Sequence, residues 1–296
     1  MKYYDIIISL GQYCITSTAL RRLHLQEESS VFDWSAGILE DRCGKGGLRG
    51  KVDLICNDFY DFFNFEDFEN RGNNQENDTY NLWIVNKKTG LQYKHDFPAA
   101  DGFENKFLEV KQKYERRIKR LYDAIENSTK ILFLFMARDG GFSDAYLLEQ
   151  QTKVAKKFSD KQIDFLYLIH DDNCGVTDYT TKQLSAHVTR IDCNFCHATV
   201  KEYPESWNGN TALYYPILEN YCFTPTTVKY LLQSLKELTV RYNRLEKFFH
   251  PTLCLSTIKA FLANRCPITF YTTSHGTNIK LFGCIKTRIW PKKWRK

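Results

Sequence analysis

At 296 residues, with 43% hydrophobic and 15% aromatic side chains, the chain can bury one large core or two modest ones, which excludes a disordered polypeptide. The net charge of +6 is modest for this length and is concentrated at the C-terminus, so the composition argues against a nucleic-acid partner. No run reaches the ~18 to 20 apolar residues of a membrane span, and Met1-Lys2-Tyr3-Tyr4-Asp5 leads into a short strand rather than an export signal; a cytoplasmic protein whose ten cysteines are free thiols is expected.

The apolar run Tyr3 to Leu10 predicts a strand, and Ile15, Ala19, Leu20 and Leu23 recur at helical spacing behind it. The strand ends at Gly11, which places Cys14 in the first turn of the helix, where unpaired N–H groups and the positive end of the dipole favour a thiolate. A lowered thiol pKa is therefore expected. Asp58-Phe59-Tyr60-Asp61-Phe62-Phe63 is acidic and aromatic, and Asn70 to Asp78 is a polar loop. Leu82, Ile84 and Val85, a turn at Lys87-Lys88-Thr89-Gly90, and Leu91 to His95 predict a hairpin with His95 at a strand end. A charged helix over roughly 102 to 126 is striped by Phe107, Val110, Tyr114, Ile118, Leu121 and Ile125.

Ile131 to Ala137 and Ile163 to Ile169 are continuous apolar strands around a helix from Ser143 to Phe158, the pattern of a parallel sheet covered on both faces. His187 to Ile191 adds a short strand. Helices are predicted from Pro225 to Phe249 and from Leu253 to Asn264. The expected architecture is α/β: a Rossmann-like, mainly parallel sheet flanked by helices, with a small antiparallel hairpin insertion and a helical C-terminal appendage. A boundary near 222 gives a domain of residues 1–222 and an appendage of residues 223–296.

A cysteine nucleophile needs a base. His95 has a neighbouring carboxylate, Asp96, and a proline that stops its strand; His170, before Asp171 and Asp172, competes with it. A Cys-x5-Arg phosphate cradle is excluded, because Arg21 falls one residue too late. Gly11 stands alone, so no Gly-x-Gly-x-x-Gly follows the first strand, and Gly44-Lys45-Gly46-Gly47 lacks the P-loop spacing. Cys193-Asn194-Phe195-Cys196-His197 has no second Cys/His pair at metal spacing, so neither a metal nor a cofactor is expected.

Ser9-Leu10-Gly11-x-x-Cys14, Leu20-Arg21-Arg22-Leu23, Phe32-Asp33-Trp34 and His95-Asp96-Phe97, in this order within roughly residues 4 to 220, resemble a bacterial family grouped as papain-like cysteine peptidases and carried as a domain of unknown function. The resemblance implies a thiol nucleophile at Cys14 and a histidine base at His95. It implies a substrate-binding place for Asp33, Trp34 and Asp96. Papain-type enzymes carry an oxyanion-stabilising glutamine a few residues before the cysteine; here Gln12 stands only two before it. Spacing leaves the third catalytic member open, with Asp139 the first choice and Asp96 the second. A strand leading straight into the nucleophile helix is nearer a Rossmann-like sheet than the papain architecture.

The tail from Ile279 to Lys296 interleaves Lys and Arg with Phe282, Trp290 and Trp294, which suits adsorption to an anionic membrane surface at the inner face of the membrane. This tail also resembles those of enzymes that build surface polysaccharides. The alternative function is accordingly a glycosyltransferase, with Asp171 and Asp172 holding a metal and a sugar nucleotide. The substrate, peptide or glycan, is specified by no motif.

Overall fold

The computed structural model describes residues 2–12, 14–26, 28–37, 46–73, 81–138, 140–196, 208–246, 268–273, 276–281 and 285–288. The chain packs as two units, Met1–Val228 and Lys229–Lys296.

In chain order the elements are β1 (Lys2–Tyr3), β2 (Ile6–Ser9), α1 (Cys14–Arg22), β3 (Ser35–Gly37), α2 (Leu48–Cys56), β4 (Phe68–Asn73), β5 (Leu82–Asn86) and β6 (Leu91–Tyr93). There follow α3 (Phe103–Glu126), β7 (Lys130–Ala137), α4 (Asp144–Lys157), β8 (Gln162–His170), β9 (Tyr179–Ser185), β10 (Val188–Cys193), α5 (Thr211–Tyr221) and β11 (Cys222–Phe223). The chain closes with α6 (Pro225–Glu246) and the strands β12 (Ile268–Thr273), β13 (Gly276–Leu281) and β14 (Ile285–Arg288).

The main sheet has the order β2-β7-β8-β10-β9, all parallel except β9, which runs antiparallel to β10. Its central strands are apolar because both faces are covered. Ile131, Phe133, Phe135 and Ala137 of β7 belong to the core that includes residues of α2, α3 and α4, whereas Leu132, Leu134 and Met136 face Ile15, Ala19 and Leu20 of α1 and Tyr214, Ile217 and Leu218 of α5. The two-residue period of a strand thus splits one apolar run between two cores. The sheet is mainly parallel and covered on both faces, as expected. The reversal of strand order that marks the middle of a doubly wound sheet is not seen among these five strands.

A second, four-stranded sheet, β3-β6-β5-β4, is antiparallel throughout. The predicted hairpin forms its centre, with Gly90 at φ 70° closing the turn, and β3 and β4 extend it beyond a hairpin. Glu69, Asn70, Arg71 and Gly72 of β4 are exposed on an edge strand, which is why a polar stretch could be strand despite its composition. An aromatic cluster of Phe63, Phe68, Tyr93, Phe97, Phe103, Phe107 and Tyr114 packs this sheet on α3.

The appendage is not simply helical, contrary to expectation. After α6 it carries the antiparallel sheet β12-β13-β14, where the β-branched and aromatic run Ile268-Thr269-Phe270-Tyr271-Thr272-Thr273 outweighs any helical tendency. The helix expected at Leu253 to Asn264 lies outside the described residues, as do residues 282–284 and 289–296 of the basic aromatic tail. No helix among the described residues is long and apolar enough to cross a membrane.

Replacing Leu134, fully buried in β7, by Ala removes a side chain from the core beneath α1 and should lower stability by about 2–5 kcal/mol. Denaturant unfolding should show the midpoint moving with its slope unchanged.

Candidate active site

β2 delivers Cys14. Its pairing with β7 continues past the end of the strand, as the Leu10 N–H donates to the Leu134 carbonyl at 2.8 Å and the Gln12 N–H to the Met136 carbonyl at 3.4 Å. The Gln12 side chain fixes the same edge, its Oε1 accepting from the Arg138 N–H at 2.8 Å. α1 begins at Cys14, and Ser17 Oγ lies 2.9 Å from the Cys14 carbonyl and 2.8 Å from that of Asp33, tying the first helical turn to the loop before β3. The thiol is consequently at the C-terminal edge of the parallel sheet, at a helix N-terminus, as the sequence predicted.

The second sheet brings the imidazole. His95 follows β6, and the residues after it are firmly held: Asp96 is buried and accepts from Tyr114 Oη at 2.8 Å and from Lys113 Nζ, both on α3, while the Leu82 N–H donates to the Phe97 carbonyl at 2.7 Å. With its neighbours anchored, His95 places Nε2 3.8 Å from Cys14 Sγ, across 81 residues of sequence. Cys14 is half-buried and His95 exposed, so solvent reaches the pair from the imidazole side. The Trp34 ring stands edge-on to that of His95, centroids 6.2 Å apart, and the Arg21 guanidinium lies 5.3 Å from the Trp34 centroid.

Other expected residues take different places. Asp33 is fully buried, with Oδ2 accepting from the Ser30 N–H at 2.7 Å and from Gln26 Nε2 at 2.9 Å; it braces its own loop beside the site. Burial raises its carboxyl pKa against those hydrogen bonds and the Arg21 charge. Asp96 is committed to α3 through Tyr114 and Lys113. Asp139 lies outside the described residues. His170, at the end of β8, pairs with Asp172 at 3.0 Å, and Asp171 accepts from the Asn173 N–H at 2.9 Å and from its side-chain amide at 2.8 Å. Among the described residues, no group of three or more His, Cys, Asp or Glu is placed to hold a metal.

The thiol's ionisation differs from expectation. Burial pushes Cys14 up to about 11, assisted by the charges of Asp33 and Asp96, and this outweighs its own backbone N–H and the opposing charge of Lys51. The helix start is present, yet the resting sulfur is a thiol rather than a thiolate.

One residue of the site was not anticipated. Lys51, on α2, is fully buried, with Nζ against the carbonyls of Gly11, of Leu10 at 3.5 Å and of Ser35 at 3.5 Å, and 5.5 Å from the Phe32 ring centroid. Burial lowers its pKa to about 7, although Cys14 and Asp33 pull it upward. A signal for it existed: Leu48, Lys51, Val52 and Ile55 form the buried stripe of α2, and a lysine at such spacing within a stripe is unusual.

Two outcomes are expected. At neutral pH, Cys14 in the folded protein should alkylate at least about tenfold more slowly than in the denatured chain, where an ordinary thiol pKa applies; peptide mass spectrometry at graded times measures this. Asp96→Ala, which leaves the Tyr114 hydroxyl without its acceptor, should cost about 1–3 kcal/mol, read by urea unfolding.

The sequence comparisons return the family that the sequence resembles. A family model described as "Putative papain-like cysteine peptidase (DUF1796)" matches residues 5–173, from the start of the main sheet to the turn after β8, and encloses Cys14, Asp33, Lys51 and His95. An uncharacterized protein of Acanthamoeba polyphaga mimivirus is 28% identical over 141 residues, 44% of this chain, and the chain spans about 60% of that relative's length. No solved structure matches the chain. Since the family model covers more than half of it, the chain belongs to the family so described.

Proposed function

We propose that this protein is a thiol-dependent hydrolase or acyl transferase in which Cys14 is the nucleophile and His95 the base. The observation that carries the reading is the 3.8 Å separation of Sγ and Nε2, close to hydrogen-bond reach between residues from two different sheets. A dyad of this kind tightens when substrate enters.

With the resting thiol protonated, His95 has a defined task. As Sγ attacks the substrate carbonyl, Nε2 takes the thiol proton and the carbonyl electron pair moves onto oxygen. Collapse of the tetrahedral species forms the thioester and breaks the bond to the leaving group, which receives the proton from the imidazolium. A water or an acceptor amine or alcohol, deprotonated by the same nitrogen, then attacks the thioester and releases Sγ, which recovers its proton. Backbone N–H groups at the start of α1 and the side-chain amide of Gln12 are the candidates for receiving the oxyanion. Trp34, beside His95, is suited to a flat apolar part of the substrate, of peptide or amide class.

An electrophilic active-site probe applied to the wild type, Cys14→Ala and His95→Ala tests the reading. Labelling should disappear in Cys14→Ala, and in His95→Ala both labelling and any turnover should fall by about 10²- to 10⁴-fold. Undiminished labelling in Cys14→Ala, or unchanged rates in His95→Ala, would overturn it.

A further inference from the structure

A buried lysine requires an account. Desolvating an ammonium is costly unless its hydrogen bonds are replaced, and the replacement here is specific. Among the described residues Lys51 has three acceptors, the backbone carbonyls of Leu10, Gly11 and Ser35, and an ammonium has three N–H donors. Leu10 and Gly11 form the turn that ends at Cys14, while Ser35 opens β3 in the antiparallel sheet whose β6 leads to His95. One head group therefore joins the turn bearing the thiol to the sheet bearing the imidazole.

We propose that Lys51 is the positioning residue of the Cys14 site: its ammonium fixes the turn at Leu10 and Gly11 against β3 and directs a positive charge toward the sulfur that favours the thiolate. This rests on Cys14 being the reacting group, but the test below reads the sulfur itself. Failure of the hydrolase reading, seen as absent turnover, leaves the test intact.

The charged and titratable groups around Lys51 come from several elements. Cys14 faces it from α1 and Asp33 from the loop before β3; Asp96, with His95, acts on the sulfur from the segment after β6. On α2 itself, Arg49 and Asp53 pair with each other at 3.6 Å on the exposed side. Asp33 and Asp96 disfavour the thiolate and Lys51 favours it, so the cation is the group whose removal should depress reactivity. When Lys51 loses its proton near neutral pH, both the charge and the third donor disappear. The sulfur's response to pH should therefore carry the lysine's titration as well as its own.

The experiment compares iodoacetamide alkylation of Cys14 in the wild type and in Lys51→Met from pH 6 to pH 9.5, read on the Cys14 peptide so that the other nine cysteines do not contribute. At pH 6 the wild type should react about tenfold faster, the effect of about one pKa unit on the thiolate fraction. The ratio should fall toward one by pH 9, where the lysine is neutral. A ratio that is constant with pH would assign Lys51 a packing role only, and a ratio of one throughout would assign it none; either overturns the proposal. Should Lys51→Met fail to fold by circular dichroism, the same titration in His95→Ala decides the matter. With no imidazole beside the sulfur, the logarithm of the rate should flatten near pH 7 and rise again above it. An unbroken rise of tenfold per pH unit through that region overturns the proposal.

Discussion

The continuation of β2 pairing beyond the strand end is the constraint on which the site depends. Because Leu10 and Gln12 keep donating to β7 after the strand is formally over, the chain enters α1 from a fixed position at the sheet edge, and Cys14 inherits that position. The partner strand can impose this because it is buried on both faces and cannot shift without disturbing two cores at once. The thiol is thus placed by a strand buried on both faces, while the imidazole comes from the antiparallel sheet, whose aromatic residues share a core with one face of that same strand. The sulfur and the imidazole, carried on elements each held by its own hydrogen bonds, meet with little freedom to rearrange.

Electrostatics at this edge oppose one another. Burial holds Cys14 as a thiol, two carboxylates reinforce that state, and one buried lysine resists it. A low local dielectric magnifies all three contributions. The net result is a sulfur that rests as a thiol, with an imidazole 3.8 Å away. Asp33 and Asp96 have a structural share in this arrangement: each braces the loop that carries a site residue, and each adds negative charge close to the sulfur.

Local sequence was sufficient where periodicity and chemistry coincided. Apolar runs bounded by helical stripes identified β7, α4 and β8, and the Gly90 turn identified the β5-β6 hairpin. The reading failed where neighbours decide: β4 is polar and becomes a strand through pairing with β5, and the C-terminal strands pair with one another in a region read as helix and tail. Lys51 was missed for a related reason. It stands in a stripe with Leu48, Val52 and Ile55, but only the packing of α2 toward the Leu10 and Gly11 carbonyls makes it part of the site.

The sequence by itself determined the strand, the turn and the helix start that present Cys14, the hairpin that ends near His95, and the order of the four motifs, because these follow from spacing over a few residues. The tertiary structure alone decided that the sulfur and the imidazole meet, that the thiol pKa is raised rather than lowered, and that Asp96 serves α3. Each of those depends on burial and on partners distant in the chain: a helix dipole acts through the first turn, whereas desolvation is set by everything packed around the atom.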